Sequence, residues 1–350
     1  MTNLKGLNTL RAIASLVVVW SHIEFIKGVN KLPQINFRIF PNAHFAVTLF
    51  FVLSGFLITY LLLNEKNKYG TISFKKFYLR RILRIWPLYY LIIALSLLLF
   101  TTEIPQRTLL LCLSIFPNIP PALKSGWPNS PQIWSIGVEE QFYLFWPLVV
   151  YFVPKKYFIK SVIGFIIIYT LFPYIFNYIN IHTINDEKLY SFTQKFFYYT
   201  KFNCMAYGGL LGYALVEKKN ILKYFNNTFL SISIIFLAFG VWFANLSFFM
   251  LTEELYAFLF GLMILAVVLN KNINIDNTVT NFLGKISYGI YMYHWIIILL
   301  ALDFLDNYKE SQFYNLFLYT IVFSTTIIIS WISFNTFEKY FLNMKTKFEV

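Results

Sequence analysis

Long apolar runs rather than short alternations dominate this chain. Ten segments reach the roughly 20 largely apolar residues that a bilayer-spanning helix needs. They fall at 7–26, 43–63, 82–101, 133–153, 158–178, 198–216, 228–246, 251–269, 286–303 and 314–335. A further run, 107–117, is too short and too close to prolines to span, and reads as re-entrant or interfacial. No linker is long enough to part soluble domains, and no internal repeat is visible. The pattern predicts an all-α polytopic membrane protein of about ten transmembrane helices, with 1–350 forming one membrane-embedded domain.

Composition strengthens that reading. Hydrophobic residues make up 58% of the 350 and charged residues 13%, with 40 Phe and 25 Tyr. Soluble chains carry about 25% charged residues, so the solvent for much of this surface is lipid. Two cysteines exclude a disulfide framework or a Cys-rich zinc site. The net charge of +13 would point a soluble protein towards nucleic acid. Here the charges sit between apolar runs, so they indicate topology and anionic membrane lipid, with no nucleic-acid partner. With the N-terminus inside, 19 of the 29 Lys and Arg fall in inner segments and nine in outer ones. Both termini are therefore expected in the cytoplasm, in a multi-pass protein of the inner (cytoplasmic) membrane. The first run carries Arg11 and His22, which the apolar core of a signal peptide does not.

Ionisable groups inside spans cost a few kcal/mol each and mark sites by default. Arg11 and His22 are eleven residues apart, 20° past three helical turns, so they share one helix face about 16 Å apart. Either they form an anion site with an imidazole above it, or a snorkelling Arg and a histidine satisfied by its neighbours. Arg81 and Arg84 precede Pro87 at the start of the third span, where the helix dipole already presents positive charge. Beyond topology, stacking cations there favours bound phosphates, from lipid or from a nucleotide-like donor. Glu139 and Glu140 enter the fourth span together and point about 100° apart, which argues against one pocket holding both. Ser135 stands at that helix opening. Around Tyr288, Tyr291 and Tyr293 a late helix opens with a second intramembrane histidine, His294.

No H-x-x-x-H, H-E-x-x-H or Cys-x-x-Cys occurs, so no metal is expected. His44 and His182 fall in outer loops and read as solvated. Serine-hydrolase elbows, Walker loops and dinucleotide fingerprints are missing as well.

Taken in order, these strings resemble the acyltransferase-3 family of integral membrane O-acyltransferases. Gly6 to His22 (GLNTLRAIASLVVVWSH) is similar to the family's opening helix, and Val47 to Thr59 (VTLFFVLSGFLIT) to its most recognisable string. Arg81 to Pro87 matches R-x-x-R-x-x-P, and Trp134 to Pro147 matches W-S-x-x-x-E-x-Q-F-Y. Leu283 to His294 resembles G-x-x-S-Y-x-x-Y-x-x-H, and Phe337-Glu338-Lys339 the terminal E-K. The chain departs from the family at Lys201-Phe202-Asn203, where Arg-Phe-Asp is frequent. Many members also carry a C-terminal SGNH hydrolase-like domain; this sequence ends at Val350 and reads as a stand-alone form.

The resemblance implies transfer of an acyl group, usually acetyl, from cytoplasmic acetyl-CoA to a hydroxyl of a cell-surface or lipid-linked glycan. O-antigen, capsule and other exopolysaccharides are the expected acceptors. Arg11, Arg81 and Arg84 form the basic inner mouth for the donor, with His294 along its path. His22 is the expected base, because a sugar hydroxyl needs one at the moment of attack. Glu139 is expected to orient it, and Ser135, Tyr143 and Tyr291 to contact substrate. His22 is preferred to His294 because it lies late in an outward-running span, whereas His294 lies early in one. Direct transfer and an acyl-enzyme both fit. The alternative is a flippase or transporter of lipid-linked saccharides, whose basic residues would grip a pyrophosphate.

Overall fold

In the computed structural model, residues 4–35 and 40–348 are described; residues 1–3, 36–39 and 349–350, which fall within the predicted 1–350 domain, lie outside them. The described residues contain helices and no strand. Each of the ten apolar segments is helical: α1 (Leu7–Val29), α2 (Ala43–Tyr69), α3 (Phe74–Leu99), then α6 (Ile133–Phe152), reached through the short α4 (Gln106–Leu113) and α5 (Ile119–Ala122). Next come α7 (Lys155–Ile179), α8 (Glu187–Tyr198), α9 (Phe202–Val216), α10 (Thr228–Phe243) and α11 (Thr252–Leu269). The chain closes with α12 (Thr278–Lys285), α13 (Ser287–Phe304), α14 (Tyr314–Ser333) and α15 (Lys339–Lys345).

Seven of these stretches, containing α1, α2, α3, α7, α11, α13 and α14, are each long and apolar enough to cross a membrane. Three of the ten predicted spans are not among them. Glu139, Glu140 and Gln141 lower the hydropathy of α6, while α9 and α10 have only 15 and 16 residues. The 106–122 region is two short helices joined by a turn, as its prolines predict.

α9 is short because it is interior. Gly55 of α2 lies against the Met205 carbonyl, and Gly208 and Gly212 of α9 lie against the carbonyls of Val52 and Phe56. A side chain at any of the three would strike backbone, so small residues set this contact, as is usual between membrane helices. Cys204, Met205 and Ala206 are fully buried there.

Six cross-links fix the ends of the bundle. Ser54 pairs with Glu139 (2.7 Å), Thr59 with Trp146 (2.7 Å) and Lys66 with the Val150 carbonyl (3.0 Å), so α2 and α6 run parallel. Tyr78 meets the Leu144 carbonyl, Trp86 meets Glu140, and Ser96 meets Ser130, so α3 runs antiparallel to α6. The start of α1, the end of α2 and the start of α3 thus share one end of the bundle. The 106–132 segment closes the other.

Two expectations change. The apolar run alone predicts a third span starting at 82, with the arginines at its dipole end. α3 instead starts at Phe74, because nothing after Gly70 breaks a helix, so Arg84 lies three turns inside and the dipole argument lapses. His44, expected to be solvated, opens α2 with its ring on Glu253 and within 2.6 Å of Lys201 Nζ. Lys201 also donates to Glu253 at 2.9 Å, and Asn203 to Glu254 at 2.9 Å. Acidic partners on α11 therefore hold the Lys-Phe-Asn departure in place, and sequence distance hid them. His182 is exposed, as expected.

Candidate active site

A cavity of about 520 Å³ runs inwards from the end that carries Leu7. Its volume falls within the range of small-molecule sites. Arg11, Arg81 and Arg84 line it, together with Ser135, Glu139, Tyr143 and Tyr291. Seven of the nine residues singled out in the sequence thus converge on one space, drawn from α1, α3, α6 and α13.

Each reaches the cavity for a local reason. Arg80, Arg81 and Arg84 share one side of α3, within about 100° of arc, and their surroundings part their roles. Arg80 is buried against Glu65 at 3.1 Å and the Phe348 carbonyl at 2.9 Å, so it ties α3 to α2 and to the chain's end. Arg81 lies over the Phe77 and Tyr143 rings, 5.8 and 6.0 Å from their centroids. Among the described residues, no carboxylate lies within ion-pair distance of Arg11, Arg81 or Arg84. Three guanidiniums face a single carboxylate, Glu139, across one cavity, and the net positive charge that remains favours an anion from outside.

Of the two adjacent glutamates, only Glu139 faces the cavity, as the 100° offset predicts. It accepts from Ser54 (2.7 Å) and Tyr143 (3.3 Å). Glu140 turns away and accepts from the Trp86 indole at 2.7 Å. Farther along the cavity, the Ser135 and Tyr291 hydroxyls are 2.7 Å apart, and Tyr291 also donates to the Gln132 carbonyl at 3.1 Å. Ser54, Asn8 and Tyr288, given no site role above, also line the cavity. Ser54 carried a signal: it is the one serine in the apolar string Val47 to Thr59.

The two remaining residues meet each other. His22 Nδ1 and His294 Nε2 are 2.7 Å apart, with the rings stacked at 5.0 Å. The expected axial separation of these histidines is therefore wrong. α12 supplies the first turns beside α1, through Thr9–Thr280 (2.8 Å) and Asn8–Asn281 (3.1 Å), and only then does α13 begin. That offset lifts His294 to the level of His22. The expected orienting contact moves as well, since the oxygens of Glu139 are engaged by Ser54 and Tyr143, while His22 bonds His294.

The pair fixes its own tautomers. His294 Nδ1 is 2.6 Å from the Tyr291 carbonyl, which can only accept, so the proton sits on Nδ1. With both rings neutral, His294 Nε2 accepts from His22 Nδ1–H, and the lone pair of His22 Nε2 is left for another proton. His294 is fully buried and His22 partly so. Trp295 packs edge-on to His22 at 5.1 Å.

Fold and site together define a polytopic helical membrane protein with an arginine-lined cavity, one wall residue of which, Tyr291, meets a histidine pair through its carbonyl. The sequence comparisons place it more closely. The chain belongs to the acyltransferase-3 family, whose acyltransferase domain matches residues 4–334. It is 26% identical to a protein of Staphylococcus aureus (strain COL), provisionally named an O-acetyltransferase, over 97% of this chain and 58% of the relative. It is 30% identical to the peptidoglycan O-acetyltransferase OatA of Listeria monocytogenes over 41% of this chain and 23% of the relative. A Bacillus subtilis (strain 168) protein, YrhL, provisionally named a peptidoglycan O-acetyltransferase, is 32% identical over 45% and 25%. The chain thus spans under three-fifths of the length of the first relatives it matches. No solved structure matches it.

Proposed function

We propose that this protein transfers an acetyl group from acetyl-CoA to a hydroxyl of a cell-envelope glycan, in the cytoplasmic membrane, with 1–350 acting as one domain. Family membership and the names of the relatives support the reaction class. One observation carries the reading: an arginine cluster facing a single carboxylate and a hydrogen-bonded histidine pair share one bundle, linked through Tyr291, which lines the cavity and whose carbonyl meets His294.

The roles follow from the geometry. Arg11, Arg81 and Arg84 bind the phosphates of the donor, for which charged hydrogen bonds contribute about 1.5–3 kcal/mol each. Ser135 and Tyr291, whose hydroxyls bond each other and the Gln132 carbonyl, turn a hydroxyl proton from that carbonyl to the thioester carbonyl oxygen when the donor binds. His22 Nε2 removes the proton from the attacking sugar hydroxyl. The C–O bond forms, the C–S bond breaks, and the thiolate takes that proton from the imidazolium to leave as free CoA. His294 holds His22 in the tautomer this requires, as in any base and orienter pair. Glu139, anchored by Ser54 and Tyr143, balances charge among the arginines.

The test is incubation of the purified chain with acetyl-labelled CoA and glycan acceptors, followed by assay for alkali-labile O-acetyl ester. Ester formation that requires both substrates is the expected result. Glycan movement across vesicles without any donor, and no ester, would instead mark a transporter.

A further inference from the structure

We infer that a second cavity, at the opposite end of the bundle, binds one neutral sugar ring of the acceptor glycan; the inference rests on the glycan reading above. This cavity is about 330 Å³ and is formed chiefly by the segment between α3 and α6. Trp127, Trp134 and Tyr199 line it, with Ser130, Pro128 and Pro131 between them. None of the residues lining it is charged at neutral pH: burial pushes its one thiol, Cys112, up to about 12, so that group stays protonated.

A flat, aromatic, uncharged cavity fits an occupant with an apolar face and a hydroxylated rim. A sugar ring has both, with C–H groups on its faces and hydroxyls around its edge. In the segment that forms the cavity three polar atoms are buried without a protein partner: Trp127 Nε1 on a lining residue, and Asn129 Nδ2 and Gln132 Oε1 on residues that stand between lining ones in the chain. Leaving such groups unpaired costs about 1–3 kcal/mol each. They are two donors and one acceptor, the mixture a hydroxylated ligand satisfies. A phosphate or carboxylate would find no cation there.

Position is the second argument. Phe51 lines the arginine cavity, Trp134 lines this one, and their rings meet edge-on at 6.0 Å, so this pair forms the partition. The wall segment is bonded to the turn of α13 that carries His294. Trp295 donates to the Pro128 carbonyl at 2.9 Å, Gln132 donates to the Met292 carbonyl at 2.9 Å, and Ser135 pairs with Tyr291. A ring held in this cavity therefore sits beside the histidine pair, on the side away from the arginines.

The test uses the full chain in lipid nanodiscs and a labelled, neutral β-1,4-linked N-acetylglucosamine tetramer, with binding read by equilibrium dialysis. Trp127→Phe keeps the ring and deletes the N–H. We expect it to weaken tetramer binding by about 5-fold, the worth of one neutral hydrogen bond. Tyr199→Leu, at a less buried position, removes an aromatic face and should weaken binding similarly even if Trp127→Phe folds poorly. Trp331→Phe, on the exposed side of α14, should leave binding unchanged. No binding to the unaltered chain, or binding by both cavity variants as tight as that of the unaltered chain, overturns the inference. Acetyl transfer measured on the same preparations separates the two claims. Ester formation with an acceptor KM that neither variant changes removes the sugar subsite and spares the activity. Tetramer binding lost in the variants, without any ester from the unaltered chain, does the reverse.

Discussion

The two cavities differ in almost every respect except their shared wall. One, at the end of the bundle that starts α1, carries three arginines and a glutamate. The other, beyond the Phe51–Trp134 partition, carries aromatic rings, prolines and no charge. Both adjoin the part of α13 that holds His294 against His22. The contrast is that of a polyanionic ligand and a neutral one, each recognised by what it lacks in bulk lipid: counter-charge in the first case, hydroxyl partners in the second. A reaction joining the two needs its proton acceptor where the cavities meet.

The largest expected effect falls on that meeting point. His294→Phe removes the acceptor for His22 Nδ1–H and frees the ring to turn. Acyl transfer should fall by about 100-fold, the lower end of what general-base loss costs. Donor binding should persist. His294→Asn, which retains an acceptor oxygen, should recover part of the rate; an unchanged rate in both variants would assign the pair a packing role only.

Arg84→Ala comes next and tests the asymmetry directly. Losing one charge-assisted contact should raise the donor requirement by an amount equivalent to about 1.5–3 kcal/mol, with little change for the acceptor. Equal shifts for both substrates would contradict the separation of the cavities. Arg80→Gln offers a contrast, since its partners are Glu65 and Phe348: folded yield should suffer more than donor affinity.

How much of this is legible in the sequence depends on the distance between partners. The helices of the ten apolar runs are legible because lipid demands long apolar segments whatever their partners. The arginine cavity is legible too, since Arg11, Arg81, Arg84 and Glu139 are each anomalous in their own runs. The histidine contact is not, because it depends on α12 supplying the first turns beside α1, which no pattern in Thr278–Lys285 reveals. The pairing of His44 with Glu253 spans 209 residues and leaves no local trace. Least legible is the neutral cavity, whose prolines and tryptophans carry neither periodicity nor charge.

Smaller effects sharpen the frame around both cavities. Gly208→Leu puts a side chain into the Val52 carbonyl, so overpacking should cost about 1–3 kcal/mol and lower the thermal midpoint in detergent. No change there would mean that α9 is looser against α2 than its contacts imply. With no change in activity expected, a cysteine placed at the exposed Lys68 should resist impermeant thiol reagents applied from outside the cell. Labelling of it would reverse the cytoplasmic assignment of the arginine end.

The most direct measurement is made on His22 itself. His22→Ala is compared with the unaltered chain for O-acetyl ester formation at saturating acetyl-CoA, with donor affinity measured on the same folded material. Donor affinity should be unchanged and transfer should fall by about 10²–10⁴-fold. Near-normal turnover in His22→Ala would rule out His22 as the base.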